Sequence, residues 1–216
     1  MVDLVFTAEG VDVERYAAVP TLIFKLRITS TPLDADVRNV LLQCQLRIDA
    51  ARRRYGPADQ ERLAELFGEP SRWRETLSSM LWTHATLQVP AFEGECVAGL
   101  PVQCSFDFNT AAAKYFHGLK DGEIPLSLLF SGTVFYRGAG GFLQMEPIPW
   151  SKQSDFRLPV SVWRNMMDLY YPNSAWLRID REVFDELHRF KHENGFTEWD
   201  HALRALLRSP PMESMS

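Results

Sequence analysis

The sequence predicts an α+β protein in which an antiparallel β-sandwich or curved sheet carries a C-terminal helical portion packed on it. From about residue 4 to residue 150, apolar residues mainly recur at every second position, as in half-buried strands. From about residue 158 onward they recur with the period of a helix. Several strands at this spacing, separated by long loops, favour an antiparallel sheet over a doubly wound α/β fold.

The same change of pattern predicts the domain organisation. Residues 1–157 form a mainly antiparallel β domain with a helical insertion near residues 58–78. Residues 158–209 form a helical portion of the same globule, and residues 210–216 form a flexible tail. Fourteen Phe, six Trp and six Tyr supply enough apolar area for a folded core and exclude a disordered chain.

Two early segments show the strand pattern most clearly. "LIFKLRITS" alternates Phe24, Leu26 and Ile28 with polar residues, and "VLLQCQLRID" places Val40 and every second residue up to Ile48 on one face. The intervening "TSTPLDADVRN" is typical of a loop, so the two strands are expected to be antiparallel neighbours.

A short helix and further strands follow. "ADQERLAELFG" has an apolar face and ends at Gly68, a suitable C-terminal cap, and a second helical turn is expected near Ser71. The next strand, "LWTHATLQVP", places Leu81, Thr83, Ala85, Leu87 and Val89 on one face if its alternation is regular. Trp82 then falls on the opposite, otherwise polar face, where it is either covered by the C-terminal helices or part of a partner surface. Strand patterns return in "LPVQCSFDFNT" and "PLSLLFSGTVFYR".

The cluster Gly138-Ala139-Gly140-Gly141 resembles a phosphate-binding loop only superficially. A dinucleotide-binding loop requires a third glycine and a helix directly after it, whereas Leu143 occupies that position and "FLQMEPIPW" follows. No Lys-Ser/Thr pair of a P-loop is present. The cluster therefore predicts a turn between two strands.

Three helices are predicted in the C-terminal portion. They cover "PVSVWRNMMDLYYP", "DREVFDELHRFKHENG" and "TEWDHALRALL". The second of these carries His188 and His192 four residues apart, so both rings lie on one helix face and can share a metal ion, with His201 as a third ligand. The alternative is that these residues only complement the helix dipole, because Arg189 stands where the zincin motif has glutamate.

Charge and cysteine content restrict the partners and the compartment. A net charge of −5 excludes a broad cationic surface for nucleic acid, and no apolar run reaches the ~20 residues that a membrane-spanning helix needs. The N-terminal residues do not resemble a secretory signal. Cys44, Cys96 and Cys104 are an odd number with no metal or disulfide spacing, which predicts a cytoplasmic protein with reduced thiols.

No catalytic motif is apparent, and no cofactor is expected. The candidate binding residues are Trp82, on its polar strand face, and the basic run Arg52, Arg53 and Arg54. Three arginines can clamp a carboxylate or a phosphate, although a short basic run also occurs as a solvated strand edge. An exposed tryptophan with nearby arginines is typical of a protein-binding surface. The oligomeric state is left open.

Six phrases of the sequence are specific as a set: "RRRYG", "LFGEPSRW", "LPVQCSFDFNTAAAKYF", "GEIPLSLLFSGTVFY", "IPWSKQSDFRLPVSVW" and "YYPNSAWLRI". Together they resemble an uncharacterised bacterial family of unknown function, whose members occur mainly in actinobacteria and are often encoded near uptake nickel-iron hydrogenase genes. The resemblance extends over nearly the whole chain and implies an accessory role, but it transfers no functional residue.

Three functional hypotheses follow. The first is a non-catalytic binding protein with a protein partner, namely an accessory or assembly factor for a cytoplasmic metalloenzyme such as an uptake hydrogenase. The second is a metal-handling protein or metalloenzyme that uses the helix carrying His188 and His192. The third is a chaperone-like protein that adds a client strand to an open sheet edge.

Overall fold

Two antiparallel sheets form the framework of the computed structural model, which describes residues 2–104, 110–174 and 179–208. The first sheet has the order β1-β2-β6, and the second has the order β4-β3-β7-β8, with β5 beside β3 and β9 beside β7. The strands are β1 (Asp3–Glu14), β2 (Thr21–Thr31), β3 (Asp36–Asp49), β4 (Ser79–Val89), β5 (Phe92–Glu93), β6 (Glu95–Gln103), β7 (Glu123–Arg137), β8 (Leu143–Ile148) and β9 (Gln153–Pro159).

Six helices accompany the strands within the described ranges, and the predicted α+β class is confirmed. Two 3-10 turns, Ala50–Arg52 and Pro70–Arg72, adjoin them. The predicted tail at 210–216 lies outside the described residues. The helices are α1 (Pro57–Phe67), α2 (Trp73–Thr76), α3 (Thr110–Gly118), α4 (Val160–Tyr170), α5 (Arg181–Glu193) and α6 (Trp199–Arg208).

The chain divides into two compact units, Met1–Ser174 and Ala175–Ser216. The first unit contains all nine strands and α1 to α4, and α4 packs against β1, β2 and β9. The second unit contains α5 and α6, whose rings of Phe184 and Trp199 lie 5.5 Å apart. No described helix is long and apolar enough to cross a membrane.

The core of the first unit lies between the two sheets. The predicted inward residues of β2 and β3, from Phe24 to Ile28 and from Val40 to Ile48, are buried as expected. Aromatic rings connect the sheets: Phe6 of β1 stacks on Phe130 of β7 with ring centroids 4.6 Å apart. Burial of these large side chains is the main favourable contribution to folding of the unit.

The predicted pairing of β2 with β3 is wrong. β2 pairs with β1 and β6, whereas β3 pairs with β4, β5 and β7 in the other sheet. The connecting segment therefore crosses from one sheet to the other, and the two apolar faces meet across the core. Period-two alternation shows which face of a strand is buried, but it does not show which strand is its neighbour.

The glycine-rich segment is a hairpin turn, as predicted. β7 and β8 pair in antiparallel register from Arg137 with Leu143 to Gly132 with Ile148. The N–H of Gly138 donates to the carbonyl of Phe142 at 2.9 Å, and Gly141 has a φ of 77°, which favours glycine. The segment therefore joins two strands and holds no nucleotide loop.

Candidate functional site

A cleft of about 670 Å³ opens where the segment after β3 meets α1, β7 and β9. It contains all three residues of the predicted basic run, together with two basic residues that are distant in sequence. Five basic and three acidic side chains line it, although the whole chain has a net charge of −5. The lining residues are Arg52, Arg53, Arg54, Gly56, Pro57, Ala58, Asp59, Lys120, Asp121, Gly122, Glu123 and Arg157.

Arg53 forms the buried base of the cleft. Its side chain is only 8% exposed, and its Nη2 lies 3.2 Å from a carboxylate oxygen of Asp59. The guanidinium also donates to the carbonyls of Glu123 and Asp121, both at 2.7 Å. The other carboxylate oxygen of Asp59 accepts the N–H of Lys120 at 3.1 Å. Arg53 therefore holds the segment before β7 against the first turn of α1. The prediction that Arg53 contributes to an exposed partner surface is wrong, because its side chain is buried.

Arg52 is exposed, but its guanidinium is paired with two carboxylates. Its guanidinium lies 2.9 Å from Asp155 of β9 and 3.4 Å from Asp49 at the end of β3. The hydrogen bond and charge of Asp155 raise the pKa of Arg52 further above its ordinary value. Asp49 in turn accepts a hydrogen bond of 2.6 Å from Ser127 of β7. Most of the charge of Arg52 is therefore compensated within the sheet.

Arg54 differs from its two neighbours. Its side chain is exposed and has no hydrogen bond or ion pair with any described residue. Lys120 and Arg157 are exposed as well, and the one ion pair of the Arg157 guanidinium with a described residue is with Glu123, at 3.9 Å. Three of the five cationic groups of the cleft, those of Arg54, Lys120 and Arg157, are therefore weakly compensated.

The N-terminus of α1 also lines the cleft. The helix begins at Pro57, and Gly56 precedes it without a side-chain cap. The N–H groups of Ala58 and Asp59 have no acceptor within the helix, because the first turn has no preceding carbonyls. These groups and the helix dipole favour a negative charge at this position.

Trp82 is part of the core, so the prediction that it contributes to a partner surface is wrong. Its side chain is 3% exposed, and its ring packs edge-to-face on Phe116 of α3 at 4.9 Å. The reason is a β-bulge: Leu46 pairs with Thr83 and Arg47 pairs with Leu81, so Trp82 is the extra residue of β4 at this register shift. The extra residue reverses the alternation of β4 at this point, and Leu81 is exposed instead.

The three histidines do not come together as a metal site. His188 and His192 of α5 and His201 of α6 are exposed, and the ring of His188 lies beside Phe184 and Trp199. Across residues 2–104, 110–174 and 179–208, no group of three or more His, Cys, Asp or Glu side chains is placed to hold a metal ion. The position of these histidines does not support the metal-handling hypothesis.

The structure shows an apolar surface that the sequence reasoning missed. Phe142, Leu143 and Met145, on and beside the β7–β8 hairpin, are 79%, 65% and 71% exposed. β8 is the last strand of its sheet, so one of its edges has no neighbouring strand within the described residues. The signal in the sequence was "GGFLQM", an apolar segment directly after a turn, whose exposure depends on β8 being an edge strand.

The cysteine thiols are poorly suited to nucleophilic chemistry. Cys44 and Cys104 are buried, as predicted, and desolvation raises the pKa of each to about 12. Cys96, on β6, is half-buried, and its pKa is raised by desolvation and by the charge of Glu95. Since the thiolate is the reactive form, these environments suppress reactivity at neutral pH.

The fold and the cleft together describe a β-sandwich protein with a small cleft rich in basic residues and a separate apolar edge. The chain belongs to the family of unknown function DUF6084, whose model matches residues 1–214. No curated protein matches the chain. It has a likeness to the solution structure of a putative late embryogenesis abundant (LEA) protein, with 14% identity and a TM-score of 0.30 over 72% of this chain and 71% of that chain. This likeness is too low to carry an argument about function.

Proposed function

We propose that the protein is a non-catalytic binding protein that captures a protein partner at the free edge of β8. The exposed apolar edge of this strand is the observation that supports the proposal. The resemblance described above further supports a role as an accessory or assembly factor for a cytoplasmic metalloenzyme such as an uptake hydrogenase. The binding function and the identity of the partner are tested separately below.

The pairing register determines which backbone groups β8 offers. Because Gly138 and Phe142 form a hydrogen-bonded pair, antiparallel alternation makes Gln144 and Glu146 bond to β7. The N–H and C=O groups of Leu143 and Met145 then point away from β7, toward solvent. Pro147 interrupts this row, since it has no N–H. A partner strand therefore has two residues of β8 available for complete pairing.

The side chains at this edge are unusual for an unpaired strand. Edge strands commonly carry lysine or other charged residues that prevent association, but Leu143 and Met145 are apolar. Glu146 is the charged residue of β8, and its carboxylate accepts hydrogen bonds from the hydroxyl of Tyr136 and from the N–H of Val2. An added strand gains backbone hydrogen bonds from the edge and apolar contact from these side chains.

The proposal is tested with the variant Met145→Lys, which places a charge on the edge without altering the bonds of β8 to β7. The matched control is Val97→Lys, an equally drastic change at an exposed position of β6, an edge strand of the other sheet. The tagged proteins are used to capture partners from the native host, and recovered proteins are then titrated individually. We expect one partner to bind the wild type and Val97→Lys equally, and Met145→Lys at least about tenfold more weakly.

Equal binding of the partner to both variants contradicts the proposed edge. The accessory role has its own test, because the recovered partner must be a subunit or maturation factor of a metalloenzyme. A partner of another kind contradicts that role and leaves the edge intact.

The same edge also favours a second candidate, a chaperone-like protein that binds client strands. The two candidates differ in selectivity: an accessory factor binds one defined protein, whereas a client-strand binder accepts many extended apolar segments. Titration with a panel of unrelated β-prone peptides separates them. Comparable, Met145-dependent affinities across the panel support the chaperone-like candidate.

A further inference from the structure

We propose that the basic cleft binds a small phosphorylated molecule, whose phosphate is held by Arg54, Lys120, Arg157 and the first turn of α1. This site is distinct from the edge of β8: the cleft lies at the Glu123 end of β7, and the hairpin lies at the Arg137 end. The inference does not depend on the proposed protein partner.

The first support is uncompensated charge in a concave site. Arg54 and Lys120 have no side-chain ion pair with any residue that the structure describes, and the contact of Arg157 with Glu123 is long at 3.9 Å. They come from three different segments, after β3, before β7 and within β9. Cationic groups that line one cavity from several directions are suited to an anion with several oxygen atoms.

The second support is the construction of the cleft base. The buried Arg53 joins α1 to the segment before β7 through three hydrogen bonds, so the cationic groups stand on a rigid frame. Its Nε is buried and has no hydrogen-bond partner among the described residues. A buried donor without an acceptor is uncommon in proteins, so the guanidinium at the base of the cleft is not fully satisfied by the described residues.

The third support is that the number of hydrogen-bond donors in the cleft suits the oxygen atoms of a phosphate group. The uncapped first turn of α1 offers the N–H groups of Ala58 and Asp59 in addition to the three side chains. This set of donors exceeds what the two oxygens of one carboxylate accept, whereas a phosphate monoester has three terminal oxygens and a charge near −2. Asp59 does not occupy the three cationic side chains, because its carboxylate accepts from the guanidinium of Arg53 and from the backbone N–H of Lys120.

Size and the remaining charges define the rest of the ligand. The cleft volume of about 670 Å³ lies within the usual range for small-molecule sites and is larger than one phosphate requires. Asp121 and Glu123 also line the cleft and repel a second anionic group. The ligand class is therefore a phosphate monoester whose remainder is neutral or cationic.

The test is a calorimetric titration of the full chain at constant ionic strength. The probes are inorganic phosphate, phosphoethanolamine and succinate, with the last as the carboxylate comparison. We expect saturable binding of both phosphate probes, tighter for phosphoethanolamine, and at least about tenfold weaker binding of succinate.

Single-residue variants show whether the phosphate probes bind in the cleft. Arg54→Ala and Lys120→Ala each lose at least about tenfold in affinity for phosphoethanolamine, since each removes one charge-assisted contact. Arg62→Ala is the matched control, because Arg62 is exposed on the same helix and does not line the cleft. Thermal unfolding of each variant verifies that it is folded.

Three results overturn the inference: no saturable binding of either phosphate probe, succinate binding as tight as phosphoethanolamine, or equal effects of Arg54→Ala and Arg62→Ala. The Met145→Lys protein retains phosphate binding if the two sites are independent. Failure of the cleft and failure of the β8 edge are thus separate outcomes.

Discussion

Arg53 shows how much the environment changes the role of one residue type. Three consecutive arginines occupy three environments: Arg52 is paired at the sheet surface, Arg53 is buried against Asp59, and Arg54 is exposed. Arg52 and Arg53 both bridge segments that are distant in sequence, but only the contacts of Arg53 are shielded from solvent. The consequences of replacing these residues should therefore differ sharply.

We predict that Arg53→Ala lowers the free energy of unfolding by about 3 kcal/mol, because it leaves the buried carboxylate of Asp59 without its partner. Arg54→Ala should change the same quantity by less than about 0.5 kcal/mol, as is usual for exposed positions. Urea unfolding of both variants measures the difference. Equal effects of the two substitutions contradict the assignment of Arg53 to the buried frame.

The thiols give a second prediction at this scale. In the native protein at pH 8, a thiol reagent should modify Cys96 slowly and leave Cys44 and Cys104 unmodified. With a pKa of about 12, the fraction of thiolate at each buried site is on the order of 10⁻⁴ at pH 8. Mass spectrometry of labelled peptides measures the relative reactivity of the three thiols. In denaturant, all three thiols should react alike.

The raised pKa values of the two buried thiols also make the stability of the fold depend on pH. For Cys44 and Cys104 the folded-state pKa is raised above the unfolded value, so the folded state retains more protons at alkaline pH. Their contribution to stability is complete below the unfolded pKa of about 8.5 and is lost as pH rises toward 12. Rapid labelling of Cys44 at pH 8 without unfolding contradicts both statements.

The candidate site was predictable from the sequence only in part. The density of arginine at 52–54 was evident, and it does mark the cleft. The different environments of Arg53 and Arg54 were not evident, because the burial of Arg53 depends on the backbone carbonyls of residues 121 and 123. These residues are distant in the sequence and approach Arg53 only in the folded chain. Lys120 and Arg157 were missed for the same reason: nothing in their local sequence places them beside Arg54.

At the scale of elements, β4 shows where period-two reasoning fails. The alternation assigned Leu81 to the core and Trp82 to the surface, and one bulge residue reversed both. A bulge inserts a residue without interrupting the strand, so the apolar pattern contains no marker for it. α3 was missed as well, although Ala112, Ala113, Tyr115 and Phe116 follow a helical period, because a strand pattern immediately precedes it.

We predict that Trp82→Ala destabilises the protein by about 3–5 kcal/mol, because it leaves a cavity beside Phe24 and Phe116. Leu81→Ala, at a position that is 50% exposed, should cost less than about 1 kcal/mol. Thermal or urea unfolding of the two variants compares them. A larger effect of Leu81→Ala means that β4 has regular alternation and no bulge.

Elements with long, regular patterns were otherwise well predicted. α1 and its C-terminal Gly68, α4, and the inward faces of β2 and β3 lie where the sequence places them, since propensity, capping and periodicity agree there. The antiparallel sheets of the α+β class followed from the same patterns. The order of strands within the sheets did not, because pairing partners are chosen by contacts across the whole chain.

At the scale of the whole molecule, the distribution of buried residues predicts an autonomous first unit. Among the described residues, every buried apolar side chain except Ala202 belongs to Met1–Ser174. We predict that a chain ending after Ser174 folds, unfolds cooperatively in urea and keeps phosphoethanolamine affinity within about twofold of the full chain. A non-cooperative transition contradicts autonomy of this unit.

Strand β7 has a consequence for the geometry of any complex. It contains 15 residues from Glu123 to Arg137, so its ends lie about 46 Å apart at the usual rise per residue. Neighbouring strands are bonded along both of its sides, by β3 on one and by β8 and β9 on the other, which makes it stiff. If both proposed sites are occupied, β7 would act as a spacer of fixed length: it would hold a phosphorylated molecule in the cleft and a protein on the hairpin at a separation that neither ligand could shorten.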